Sequence, residues 1–178
     1  MNTKKIKQLK SSFLRNSVFD LTISGAFQRG NIYIKKVKSK AKEELKKEIR
    51  TLLDALVQKY KKKVEVEEYI KDVSYLSKTL SRKYVHILKD GRFRLGSSQK
   101  LLSLHLKHLW ALGLIHEPPL CPFDGIIIQK LGLNHKWTKL DTIKELRELI
   151  DEVIKRCKED RFRNRISLWE MNIYEQGR

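Results

Sequence analysis

Two residues of this 178-residue chain have types and positions that could do chemistry, Lys100 and Asp124. Lys100 lies in the first turn of a strongly helical segment, and Asp124 follows a Pro-Phe step at the expected start of the next helix. A neutral amine is a nucleophile, and a nearby carboxylate can stabilise positive charge that develops on the group under attack. The simpler alternative is two solvated charges at helix ends, with Asp124 serving only as an N-cap.

The helix predicted over 97–112 has leucines on one side and both of its lysines on the other. At 100° per residue, Lys100 and Lys107 fall within about 20° of each other. This face is interpreted as a solvated basic stripe or a phosphate-binding surface, and Lys107 is the alternate nucleophile. His105 and His108 fall on or beside the apolar face, where hydrogen-bonded boundary histidines are more common than metal ligands.

Helical periodicity over most of the chain predicts an all-α fold, a compact multi-helix domain. Ser39 is expected to cap the first clear helix, Asp90-Gly91 to form a turn and Gly113 to end the helix that carries Lys100. Residues 1–38 are left open between helix and extended structure, with 31–34 as a short strand or an arm. The helices are predicted at 39–60, 67–80, 81–88, 97–112, 124–131, 141–158 and 167–175.

The net charge of +18 indicates a polyanionic partner. Residues 1–63, a basic N-terminal helical region, hold 18 Lys/Arg and 5 Asp/Glu, whereas the helical domain over 64–178 holds 21 and 16. The two regions are expected to form one compact unit. The candidate polyanions are DNA, RNA and an anionic membrane surface, and nucleic acid is favoured, through phosphate contacts that carry no sequence information. The alternative is a Lys-rich composition unrelated to any partner.

Cys121 and Cys157 form no metal-binding motif, and a reducing cytoplasm is the expected location. The basic N-terminus has no apolar segment after it, so it is not a secretory signal. The longest apolar runs are too short to span a membrane. Carboxylates at the spacing of a metal-dependent nuclease are not found.

The segment from 89 to 124 resembles the helix-hairpin-helix DNA glycosylase superfamily, and within it the 8-oxoguanine DNA glycosylase group. The hairpin would be Lys89-Asp90-Gly91-Arg92-Phe93-Arg94-Leu95-Gly96, the family lysine would be Lys100, and the aspartate motif would be Cys121-Pro122-Phe123-Asp124. The resemblance covers about 45 residues. The usual Leu-Pro-Gly-Val-Gly hairpin is absent, Lys100 lies four residues after Gly96, and the chain is too short for the outer β-domain.

The resemblance implies an enzyme that flips a damaged nucleotide, such as an oxidised purine, out of the duplex and excises the base through a lysine Schiff base. Lys100 and Asp124 would be catalytic, and no cofactor would be needed. The alternatives are a non-catalytic DNA- or RNA-binding helical protein and a helical interaction protein. Residues expected to contact nucleic acid, from the hairpin, the lysine helix and a basic segment near the C-terminus, are Gly91, Arg92, Arg94, Gly96, Ser97, Lys107, Arg161, Arg163 and Arg165.

Overall fold

In the computed structural model, which describes residues 2–177, the chain folds into seven α-helices and three short 3-10 helices, with no strand in that range. The prediction of an all-α fold is confirmed. The α-helices are α1 (Thr3–Phe27), α2 (Ser39–Val57), α3 (Val66–Tyr84), α4 (Leu95–Ala111), α5 (Gly125–Lys130), α6 (Ile143–Glu159) and α7 (Ile166–Gln176). The 3-10 helices are Lys59–Lys61, Lys89–Gly91 and Trp137–Lys139.

The central element is α4, which packs most extensively against α1 and α3 and also touches α2 and α6. Its leucines Leu101, Leu102 and Leu106 are fully buried. Each such side chain contributes about 2 kcal/mol of burial free energy. Apolar residues from residues 1–63 and 64–178 join in a single cluster around α4, so both regions share one hydrophobic core.

Helix α1 occupies most of the region that the sequence left undecided. It runs for 25 residues and buries a short stripe, including Val18, Phe19 and Ile23, on the rest of the fold. The segment after it is an extended arm: Tyr33 forms an isolated antiparallel bridge with Leu88. This arm ties the N-terminal region to the segment between α3 and α4.

Two predicted boundaries are wrong. Ser39 is the first helical residue rather than the N-cap, because Lys38 holds the extended cap conformation and makes no side-chain cap bond. The expected break between residues 80 and 81 is absent, and α3 continues to Tyr84. Ser81 lies inside α3 and does not start a new helix. Its hydroxyl accepts the N–H of Phe93 and so attaches the α3–α4 connection to α3.

Other expected features are confirmed. Asp90 and Gly91 both have positive φ, as a tight turn requires. Gly113, with φ of 69°, follows the C-cap of α4, and the N–H of Leu114 donates to the Leu109 carbonyl, which is the Schellman arrangement. The start of α6 has a capping box, formed by Thr142 and Glu145, which the sequence analysis did not predict.

The connection between α3 and α4 uses its amides internally. The N–H groups of Gly91 and Arg92 donate to the carbonyls of Leu88 and Lys89, and that of Gly96 donates to Leu140. The hairpin of the resembled family grips DNA through main-chain amides, so this connection differs from that pattern.

Between residues 2 and 177, no helix is long and apolar enough to cross a bilayer. Cys121 and Cys157 are free and buried.

Candidate active site

Lys100 and Asp124 lie side by side, although 24 positions separate them in the chain. The Lys100 ammonium nitrogen Nζ is 3.7 Å from Oδ2 of Asp124, which is an ion-pair distance rather than a hydrogen bond. Both side chains are largely buried, with 8% of Lys100 and 18% of Asp124 exposed. The first turns of α4 and the start of α5 therefore bring an amine and a carboxylate to one place.

Gln99 fixes this juxtaposition. Its amide Nε2 donates to the Phe123 carbonyl at 2.9 Å, and its Oε1 accepts the Phe123 N–H at 3.0 Å. Gln99 precedes Lys100 and Phe123 precedes Asp124, so the buried side chain of Gln99 fixes the position of Lys100 relative to Asp124. The Gln99 side chain replaces a backbone partner for Phe123 in a buried segment where an unpaired amide would be costly.

The two oxygens of Asp124 have separate partners. Oδ1 accepts the N–H groups of Ile126 and Ile127, at 3.0 and 3.4 Å, and caps α5. Oδ2 faces Lys100. The N-cap interpretation is thus confirmed, and capping leaves the second oxygen directed at the amine.

The surroundings of Lys100 lower the pKa of its amine. Burial lowers the pKa of Lys100, attraction to Asp124 raises it, and repulsion from Arg29 lowers it again; the net effect is a pKa below the ordinary value. The Trp137 ring lies under the amine, with its centroid 4.5 Å from Nζ. An amine with a lowered pKa has a larger nucleophilic fraction at any given pH.

Lys107 is held differently, by the buried carboxylate of Glu170. Its Nζ is 2.9 and 3.0 Å from the two Glu170 oxygens, and Glu170 is only 3% exposed. Burial raises the pKa of Glu170, while Lys107 acts to lower it. The Lys107 nitrogen also lies 4.7 Å from the centre of the Tyr174 ring. Lys107 is therefore held at hydrogen-bond distance by its carboxylate, closer than Lys100 is to Asp124.

One interpretation expected the lysine face of α4 to be a solvated stripe, and this expectation is wrong. This face forms a wall of a cavity of about 550 Å3 between α1, α4, α5 and α7. Lys100, Lys107, Asp124, Glu170 and Arg29 all line this cavity, which we call the lysine cleft. The periodicity of α4 alone could not reveal that α1 and α7 cover this face.

A second, smaller cavity of about 240 Å3 collects part of the predicted nucleic-acid surface. Arg92, Arg94 and Ser97 line it together with Lys89 and Lys139, and Gly91 lies in the adjoining turn. We call this cavity the basic cleft. Arg29 lines both the basic cleft and the lysine cleft.

Gly96 has a packing role. A Cβ at this position would lie 1.8 Å from the Trp137 carbonyl oxygen, so only glycine allows α4 to approach the 3-10 helix Trp137–Lys139 this closely. Its N–H donates to the Leu140 carbonyl at 2.9 Å. The expected contact of Gly96 with nucleic acid would therefore have to use a residue that is buried against protein.

The basic segment near the C-terminus lies at the turn between α6 and α7. Arg161 and Arg163 have positive φ, and Arg165 pairs with Glu117 at 2.7 Å. These three arginines are not among the residues that line either cleft. Their contact with nucleic acid stays a prediction for a separate part of the surface.

His105 and His108 share one partner. Their Nδ1 atoms lie 3.4 and 3.3 Å from the Thr22 hydroxyl. Burial lowers the pKa of His105 to about 4. Within the described part of the chain, no three His, Cys, Asp or Glu side chains gather as a metal site would require.

Sequence reasoning missed four members of this site. Gln99 and Trp137 had detectable signals, since one adjoins Lys100 and the other is a rare aromatic before a helix start. Arg29 and Glu170 had none, because both reach the cleft from parts of the chain that are distant in sequence from Lys100. Comparison with protein-family models, curated proteins and solved structures gave no significant match.

Proposed function

We propose that this protein is a lysine-dependent DNA glycosylase and abasic-site lyase. The observation that carries the proposal is the buried Lys100 amine, 3.7 Å from a carboxylate oxygen, inside a cavity of about 550 Å3. A cavity of this size is typical of small-molecule sites and holds an extruded nucleotide. The resemblance on residues 89–124 points to the same pair.

The chemistry assigns one role to each residue. The nitrogen of Lys100 bonds to C1′ of the flipped nucleotide, and the base leaves with the electron pair and takes up a proton. A proton then passes from the nitrogen to the ring oxygen O4′ as the sugar opens, which gives an iminium. Loss of a proton from C2′ expels the 3′ phosphate and nicks the strand. Asp124 stabilises the positive charge on the sugar as the base departs.

Several features favour DNA as the substrate. The +18 net charge attracts a polyanion, and the exposed apolar side chains of Leu21, Ile126 and Tyr174 line the lysine cleft, where they can contact an unstacked base. We propose DNA over RNA, an oxidised purine as the base, no cofactor, and action in the cytoplasm. These finer assignments rest on the resemblance and on composition.

Borohydride trapping tests the proposal. The protein is incubated with a duplex containing 8-oxoguanine or an abasic site, reduced and analysed on a denaturing gel, with Lys100→Gln, Lys107→Gln and the exposed-site control Lys78→Gln alongside. We expect a covalent band that Lys100→Gln abolishes and Lys78→Gln retains. A band that persists in Lys100→Gln would reassign the nucleophile, and Lys107→Gln shows whether Lys107 is that residue.

The competing function is non-catalytic nucleic-acid binding, which the basic cleft favours on its own. Under that function the duplex binds tightly, borohydride traps nothing on either substrate, and Lys100→Gln leaves affinity unchanged. That combination of results would remove the glycosylase proposal.

A further inference from the structure

The basic cleft holds cations that the protein itself does not neutralise. Arg92 and Arg94 both contact Asp141, at 2.6 and 2.8 Å, and Arg94 also contacts Asp90 at 2.7 Å. Three other cations line the same cavity, namely Arg29, Lys89 and Lys139. Within residues 2–177, none of these three forms a salt bridge.

Like charges that converge on one cavity repel each other, and a bound anion relieves this repulsion. The carboxylates at the rim are already shared by Arg92 and Arg94, which leaves the remaining three cations available to a ligand. The cavity is also small, at about 240 Å3, which suits a single compact anionic group rather than a base.

The position of Arg29 relates this cavity to the reactive pair. Arg29 follows α1, lines both clefts, and its Nη1 lies 3.4 Å from where a Cβ at Gly125 would stand. Gly125 directly follows Asp124, so the guanidinium stands at the boundary between the two cavities.

We propose that Arg29, Lys89 and Lys139 bind a backbone phosphate of the DNA strand next to the nucleotide that enters the lysine cleft. The proposal rests on the proposed function for the identity of that nucleotide. Arg29 would hold the phosphate at the boundary, and the adjoining sugar would then lie against Lys100. A guanidinium suits this position because its planar set of N–H donors matches phosphate oxygens.

This site differs from a grip by hairpin amides. The amides of Gly91, Arg92 and Gly96 donate within the protein, and the phosphate ligands proposed here are the cationic side chains that line the basic cleft. Arg29 also comes from the N-terminal region rather than from the hairpin. The two clefts together would form one track for a single strand, with phosphate binding at one end and chemistry at the other.

The test is a binding cycle between protein charge and DNA charge. Duplexes carry a tetrahydrofuran abasic analogue, which cannot form a Schiff base, and a neutral methylphosphonate replaces one phosphate at a time around it. Affinities are measured by fluorescence anisotropy for the wild-type protein, Arg29→Gln and the matched control Arg82→Gln, an exposed arginine of α3 that lines neither cleft.

We expect Arg29→Gln to weaken binding of the all-phosphate duplex by about tenfold, the size of a charge-assisted hydrogen bond, and Arg82→Gln to change it less than about twofold. At one linkage beside the analogue, the methylphosphonate should abolish the difference in affinity between the wild-type protein and Arg29→Gln. The difference in affinity between the wild-type protein and Lys139→Gln should disappear at the same linkage. An equal penalty at every linkage, or none in Arg29→Gln, would overturn the proposal.

Inorganic phosphate distinguishes a backbone site from a site for the free ion. If the free ion is the ligand, inorganic phosphate competes with the duplex for the wild-type protein more strongly than chloride does at equal ionic strength. In that case no methylphosphonate position changes the affinity. That result overturns the proposal. Since the analogue duplex needs no chemistry, failure of borohydride trapping leaves this binding cycle interpretable. The two proposals can therefore fail separately.

Discussion

At Asp124, one side chain combines a structural role with a proposed chemical one, each carried by a different oxygen. Oδ1 caps α5, whereas Oδ2 faces the Lys100 amine at 3.7 Å. Asparagine is also a good N-cap, and its carbonyl oxygen can replace Oδ1 while the carboxylate charge is lost. The two roles can thus be separated by choosing between two substitutions.

We expect Asp124→Asn to retain wild-type stability but to lower the rate of borohydride trapping about a hundredfold, in line with the loss of an acid–base or electrostatic group. Asp124→Ala should lose the same activity and also about 1 kcal/mol of unfolding free energy, because the cap is gone. Urea unfolding and single-turnover trapping measure the two quantities. If Asp124→Asn traps as fast as wild type, the carboxylate is only a cap.

The sequence indicated the candidate residues of the site better than it indicated their environment. Lys100 and Asp124 could be named because their types and local positions are visible in the chain. The burial of Lys100 could not, since it depends on Trp137, on α1 and on α7, none of which periodicity in α4 can place. The pairing of Lys107 with Glu170, 63 residues away, was hidden for the same reason.

At the scale of elements, the start of α4 is fixed from two sides. Gln99 binds the backbone before α5, and Gly96 lies against the 3-10 helix Trp137–Lys139. Leucine periodicity predicted α4 itself, and Gly113 predicted its end. Neither pattern indicated these side contacts, because a glutamine and a glycine carry no periodic signal. Helix α1 was left undecided since several of its apolar residues, such as Leu9, Phe13 and Leu14, are exposed.

We expect Gly96→Ala to cost about 3 kcal/mol of unfolding free energy, because the new methyl group would overlap the Trp137 carbonyl and separate the two elements. The matched control is Gly113→Ala, where no atom lies within 4 Å and only the positive φ is penalised, at about 1 kcal/mol. Thermal and urea unfolding compare the two variants. Equal costs would mean that the α4 start tolerates displacement.

Over the whole molecule, the balance of positive and negative side chains differs from one helix to another. Helix α1 carries five cations and one carboxylate, whereas α6 carries five of each. Lys and Arg in α6 are interleaved with Glu and Asp at spacings of three and four, as in its Arg156–Glu159 and Lys144–Glu148 pairs. Residues 1–63, which include α1, hold +13 of the net charge of +18, and the sequence alone sufficed to locate this excess.

This asymmetry predicts which lysines govern the salt dependence of DNA binding. Lys7→Gln/Lys10→Gln in α1 and Lys155→Gln/Lys158→Gln in α6 each remove two exposed positive charges, so total charge is matched. Each phosphate contact contributes about 0.9 to the slope of log affinity against log salt, so the α1 pair should flatten that slope by roughly 1 to 2 and the α6 pair by little. Anisotropy titrations with undamaged duplex across a salt series give the slopes. Equal flattening by both pairs would mean that the protein attracts DNA through its overall charge, with no preferred face at α1.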